Sequence, residues 1–144
     1  MRPLSSSKDS PTALHQLTFV LQHLADELLS GEAGIGLSQV RILSVLQASV
    51  PRSQLQVARA LYQTESNVSR QLKEMKKQGL VNVKRNKKDA RQRDVTLTTK
   101  GARKAEQGKR LLAAQHKDLL RLMDSAQAKN FDRGIEHLLK ALQI

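Results

Sequence analysis

Residues 53–101 read SQLQVARALYQTESNVSRQLKEMKKQGLVNVKRNKKDARQRDVTLTTKG, and along them the apolar period changes once, from helical to extended. Ser53 and Gln56 stand at capping-box spacing, in which each side chain bonds the other residue's backbone N–H. A short helix is therefore predicted over about residues 53–61, with Leu55, Ala58 and Leu61 facing inward. After a tight connection, Thr64 is the expected N-cap of a helix over about residues 65–78, whose Val68, Leu72 and Met75 recur at i, i+4 and i+7. Gly79 suits the left-handed position that ends a helix, because a residue without Cβ adopts it freely. Two short helices so joined have the layout of a helix-turn-helix. The second is expected to turn Ser66, Asn67, Ser69, Arg70, Lys73, Lys76 and Lys77 to solvent.

Beyond Gly79 the period becomes 2. Val81 and Val83 alternate with Asn82 and Lys84, and Val95 and Leu97 with Asp94, Thr96 and Thr98. This predicts two short strands flanking the basic stretch Arg85 to Arg93. A helix-turn-helix followed at once by a basic hairpin is a winged helix. Charge gathers in the same place: residues 70–104 hold thirteen Lys and Arg against three acids, so +10 of the chain's +12 lies there. Focused positive charge is a footprint for a polyanion, since neutralised phosphates release their condensed counterions.

Working outward, Leu14, Leu17, Leu21, Leu24 and Leu28 are spaced as the seam of a long packed helix, which Gly31, Gly34 and Gly36 are expected to break. Ser38 is the expected N-cap of a helix carrying Val40, Leu43 and Leu46 and closed off by Pro51. Downstream, Thr98 caps a predicted long helix with Ala102, Ala105, Leu112, Leu119 and Leu122 near heptad spacing, a stripe interrupted at Gly108 and Gln115. Asp124 or Ser125 restarts the helix, and Phe131, Ile135, Leu138 and Leu142 form one stripe to the end. A winged core of about 65 residues cannot cover all these stripes, so part of this apolar surface is expected to be a dimer interface.

Composition narrows the functional classes. At 144 residues the chain reads as one domain that needs no staple, and with no cysteine it has neither thiol redox chemistry nor cysteine zinc ligands. Met1 to Ser10 lack the apolar run of a signal peptide and no stretch is long and apolar enough for a membrane span, so a soluble, cytoplasmic protein is expected. Phe19, Tyr62 and Phe131 are the only aromatic residues, too few for a base-stacking platform, which favours duplex DNA over single strands. His15, His23, His116 and His137 lack the spacing of a metal site, and neither a catalytic constellation nor a cofactor motif is present. The expectation is no enzyme, no cofactor and no metal.

The order helix, helix, helix-turn-helix, wing, long helix, helix resembles the MarR family of bacterial transcriptional regulators. The local match is closest over residues 89–101, Asp-Ala-Arg-Gln-Arg-Asp-Val-Thr-Leu-Thr-Thr-Lys-Gly, where Asp89, Arg91, Val95, Leu97, Thr98 and Gly101 fall in register with the family's wing pattern. Val68-Ser69-Arg70 followed by Leu72, Gly79 and Leu80 looks like the family's recognition helix and its exit into the wing. The resemblance extends over about residues 10–144. It implies an α+β, mostly α winged helix-turn-helix in a single domain, with a flexible tail at 1–10, dimerisation helices at 11–30 and 102–144, and a DNA-binding region at 37–100. It further implies that Arg91 at the wing tip enters the minor groove, with Asp89 as its orienter. One departure is Tyr62, which stands where this turn often has Gly; it is expected to alter the turn slightly and to expose a phenol near DNA or a ligand pocket.

The residues expected to meet DNA are Thr64, Ser66, Asn67, Ser69, Arg70, Lys73, Lys76 and Lys77 of the helix, and Lys87, Lys88, Asp89, Arg91 and Arg93 of the wing. The partners are then double-stranded operator DNA and a second copy of the chain. By resemblance a small-molecule effector joins them, relieving repression. Two other readings stay open: a sequence-tolerant architectural DNA-binding protein, and a protein-interaction module whose basic face docks an acidic partner.

Overall fold

The computed structural model describes residues 10–143, so the tail expected at 1–10 lies outside the described residues but for Ser10. The elements run α1 (Ser10–Ala33), α2 (Leu37–Ser44), β1 (Arg52–Ser53), α3 (Gln54–Ala60), α4 (Glu65–Lys77), β2 (Val81–Arg85), β3 (Arg93–Leu97), α5 (Thr99–Leu120) and α6 (Ser125–Leu142). They divide into two compact units, one ending at Lys109 and the other beginning at Arg110.

In the first unit, α2, α3 and α4 pack beside a three-stranded antiparallel sheet of order β1-β3-β2. The core is aliphatic: Leu29, Ile42, Leu43, Val57, Val68, Leu72, Met75, Leu80, Val81 and Val95 are fully buried. The hairpin register pairs Val81 with Leu97 and Val83 with Val95, so alternate residues face the helices as the period of 2 requires. The short strand β1, which the sequence reading did not include, pairs Arg52 with Val95 and Ser53 with Asp94 and makes β3 the central strand.

Helix boundaries follow their caps. Ser53 and Gln56 form the expected reciprocal capping box, and Thr64 Oγ1 accepts from Asn67 N at 3.2 Å. Gly79 has φ +75, and Leu80 N and Gly79 N donate to Met75 O and Lys76 O at 2.9 and 3.0 Å, which closes α4 as a Schellman motif. Thr98 caps α5 by accepting from Gly101 N at 2.9 Å while donating to Gly79 O at 2.6 Å.

Several expectations need correction. α1 runs through Gly31 and ends before Gly34, whose φ is +68; Lys104 Nζ and Gln107 Nε2 donate to its last carbonyls, Ala33 O and Glu32 O. Its buried face is Ala25, Leu29 and Ala33, while Leu14, Leu17 and Leu24 of the leucine seam are exposed. The N-cap of α2 is Gly36, not Ser38, because Asp26 Oδ1 reaches from α1 to accept from Leu37 N at 2.9 Å. That helix ends at Ser44, well before Pro51, and Leu46 is buried beyond it. On α3 the buried pair is Val57 and Ala58, and Leu55 is exposed. α5 passes Gly108 without a break, since a Cβ there would lie 2.9 Å from Val40 Cγ2: the glycine permits close approach to α2.

In the second unit, the C-terminal part of α5 turns into α6. Leu122 lies in this turn, not on α5. Asp124, one of the two candidates, is the N-cap, in a capping box with Gln127. His116 Nε2 lies 3.0 Å from Asp132 Oδ1. No α6 residue is fully buried; Phe131 is half-buried, and Ile135, Leu138, Leu139 and Leu142 are exposed. No helix of the described residues is long and apolar enough to cross a membrane.

Candidate nucleic-acid interface

α4 is built to present a cationic face. Val68, Leu72 and Met75 hold one side in the core, which leaves Ser66, Arg70, Lys73, Lys76 and Lys77 exposed on the other. Asn67 and Ser69 are half-buried, so the solvent face is narrower than expected. Thr64 is exposed, with its hydroxyl oxygen accepting from the Asn67 amide and 3.5 Å from Ser66 Oγ. The N-terminal turn also carries the positive end of the helix dipole, where anions are favoured.

The turn before α4 departs from glycine without losing its shape. Tyr62 N and Gln63 N donate to Arg59 O and Ala58 O at 3.3 and 2.9 Å, a second Schellman motif, with Tyr62 itself at φ +54. Tyrosine here adopts the left-handed conformation that glycine takes freely, and the residue is 85% exposed. A β-carbon there costs about 1 kcal/mol, partly offset in glycine by unfolded-state entropy. Tyr62→Gly is therefore expected to raise stability by a fraction of a kcal/mol up to about 1, read as a higher urea midpoint. A lower midpoint would mean the exposed ring holds contacts that outweigh the strain.

The wing loop, residues 86–92, is ordered from within. Asn86 Oδ1 accepts from Lys88 N and Asp89 N at 2.8 and 3.0 Å, and Asn86 Nδ2 donates to Asp94 Oδ2 at 2.9 Å. Asp89 Oδ1 accepts from Arg91 N at 3.0 Å, and Asp89 O from Gln92 N at 3.0 Å. The Asp89 carboxylate thus fixes the backbone of Arg91 rather than its guanidinium, so the orienting action runs through the chain. Lys87, Lys88, Asp89, Arg91 and Arg93 are all exposed.

Ser69, Lys73 and Lys76 of α4 and Arg93 of β3 line one surface depression together with Gln54, Leu72 and Val83. On the wing, Lys87 and Lys88 line another with Lys84, Arg85, Asn86 and Pro51. Thr64, Ser66, Asn67, Arg70, Lys77, Asp89 and Arg91 belong to neither. Gln54, Lys84, Arg85 and Asn86 are additions to the sequence-based set. The two cations could have been drawn from the charge run, but the placement of Gln54 depends on β1, which has no period to read.

Among the described residues, no ion pair within 4.0 Å involves a Lys or Arg between 70 and 104; the ion pairs are His23–Glu27, His116–Asp132 and Arg121–Asp118. Lys100 Nζ donates to Gln78 O at 2.8 Å and Lys104 to Ala33 O, so these two support helix ends. The remaining cations have no carboxylate partner, and among them Arg70 Nη2 donates to Asn67 Oδ1 at 3.1 Å. No cluster of acids and histidines able to hold a metal occurs among the described residues.

Residues 33–92 match the model of the MarR family. No curated protein matches the chain by sequence. Among solved structures it is similar to a mutant MarR from E. coli complexed with operator DNA, at 22% identity and TM-score 0.74, covering 90% of this chain and 92% of that one. It is similar to S. aureus MepR in complex with DNA, at 19% identity and TM-score 0.75, covering 92% and 96%. Streptococcus pneumoniae FabT in complex with DNA gives 19% and 0.75, covering 95% and 97%. Residues 33–92, which hold the helix-turn-helix and most of the wing, are thus similar to the MarR family, and the described residues share the winged-helix fold of these solved structures.

Proposed function

We propose that the protein is a sequence-specific double-stranded DNA-binding transcriptional regulator of the cytoplasm, with no enzymatic activity, acting as a homodimer on a two-half-site operator. The observation that carries this reading is the unpaired cationic surface shared by α4 and the wing. α4 has the exposure and length of a major-groove reader, and a wing tip bearing an exposed arginine suits the negative potential of a narrow minor groove. Exposed Leu14, Leu17 and Leu24 on α1, and Ile135, Leu138, Leu139 and Leu142 on α6, supply the apolar surface a second copy would cover. The family resemblance further supports repression relieved by a small ligand that shifts the spacing of the two α4 helices.

Arg91→Ala is expected to weaken operator binding by about 1–3 kcal/mol while the protein stays folded. Asp89→Ala acts more mildly, since it loosens the wing backbone and leaves the guanidinium in place. Fluorescence-anisotropy titrations at fixed salt check both, and unchanged affinity in Arg91→Ala would remove the minor-groove role. Lys76→Ala and Lys77→Ala should weaken all duplexes alike and lower the salt slope by about one per lost phosphate contact. A change confined to one base position would instead make them base readers.

A further inference from the structure

The polar side of the α3–α4 turn holds a chain of hydrogen bonds that ends on Arg70. Gln63 leaves α3 with its N–H fixed on Ala58 O at 2.9 Å. Its Oε1 accepts from two amides, Asn67 Nδ2 and Gln71 Nε2, each at 3.1 Å. Both lone pairs of that carbonyl are thereby occupied, which gives the Gln63 amide one orientation. Asn67 is engaged at both ends, donating to Gln63 and accepting at Oδ1 from Arg70 Nη2 at 3.1 Å. Gln63, Asn67 and Gln71 are half-buried and Arg70 is exposed, so a fixed turn constrains a guanidinium at the surface. Gln71 Oε1 is buried without a partner, a penalty that an apolar residue at this place would avoid.

We propose that Asn67 is a positioning residue that aims Arg70, and that the base Arg70 reads is a guanine; this rests on the DNA-binding reading above. One Nδ2 hydrogen and one Oδ1 lone pair of Asn67 are committed to Gln63 and Arg70, and the side chain is half-buried, which holds it back along the turn while Arg70 stands exposed. An arginine with one Nη2 hydrogen held keeps the rest of its fork for guanine O6 and N7. Without Asn67 the long side chain samples several rotamers, and the discrimination it gives at that base spreads out.

Selection of bound duplexes from a randomised library, with the full chain, tests this. The parent is expected to prefer guanine about tenfold or more at one position of each half-site, and Arg70→Ala to flatten that position. Asn67→Ala should flatten the same position several-fold, and the double variant no further than Arg70→Ala alone. Asn67→Asp keeps an acceptor for Nη2, so the preference survives while affinity for every duplex drops. If Asn67→Ala fails to fold by circular dichroism, Gln63→Ala carries the test and should weaken the same position. The inference is overturned if Asn67→Ala alters a different base position, additively with Arg70→Ala, or leaves the profile unchanged. It is equally overturned if Arg70 proves to select a base other than guanine. A parent without any base preference would overturn the sequence-specific reading itself, which separates the two failures.

Discussion

Gly101→Ala is expected to destabilise the winged helix by about 3 kcal/mol or more, since its Cβ position is the most crowded of the chain's glycines. Gly101 is buried in the first turn of α5, and a Cβ there would lie 1.9 Å from Leu80 O and 2.9 Å from Leu80 C. Leu80 cannot yield cheaply. Its side chain is buried, its N–H is held by Met75 O, and its carbonyl accepts from Thr98 N at 3.2 Å. Relief of the clash requires either the Schellman motif that ends α4 or the cap that begins α5 to open. Gly31→Ala is the control: nothing lies within 4 Å of its Cβ position on α1, so helix propensity should make it neutral or stabilising by up to about 1 kcal/mol. Urea unfolding of both variants checks the pair. A Gly101→Ala midpoint close to the parent's would show that α5 and the exit of α4 are not locked together.

Leu17→Asp and Leu138→Asp are each expected to destabilise the dimer by several kcal/mol. In the single chain Leu17 is 39% and Leu138 56% exposed, so an aspartate at either place is hydrated in a monomer and leaves its helix intact. In a dimer the same carboxylate would be buried without a partner. Sedimentation should therefore show the variants near the 16.1 kDa monomer mass at concentrations where the parent sediments at twice that. Operator affinity should fall with dimerisation, because a monomer holds one half-site and loses the effective concentration of the second. A parent that sediments as a monomer yet binds a two-half-site operator tightly would contradict the dimeric mechanism.

The elements read most fully from sequence are those whose signals are local. Capping by Ser53 and Thr64, the left-handed Gly79 and the alternation of Val81, Val83, Val95 and Leu97 each depend on a few adjacent residues, and each is present in the structure. Expectations failed where a distant element decides. Ser38 does not cap α2 because Asp26 from α1 takes that role, and β1 is invisible to periodicity because two residues have none. The leucine seam of α1 was legible as apolar, but the sequence could not say that Ala25, Leu29 and Ala33 face the unit's own core and leave Leu14, Leu17 and Leu24 outside. On the basic surface, charge and exposure of the lysines and arginines followed from composition and helical phase. The engagement of Asn67 did not, because it depends on Gln63, whose direction is set by the left-handed backbone of Tyr62.

The basic surface is proposed to read sequence in duplex DNA. The most direct measurement of this is the ratio of affinities for a duplex recovered by selection and for a scrambled duplex of the same length, titrated over a salt series. Both affinities are expected to fall steeply with salt while their ratio stays at about a thousand or more. A ratio near one at every salt concentration would contradict it, and would describe a protein that holds DNA by its phosphates alone.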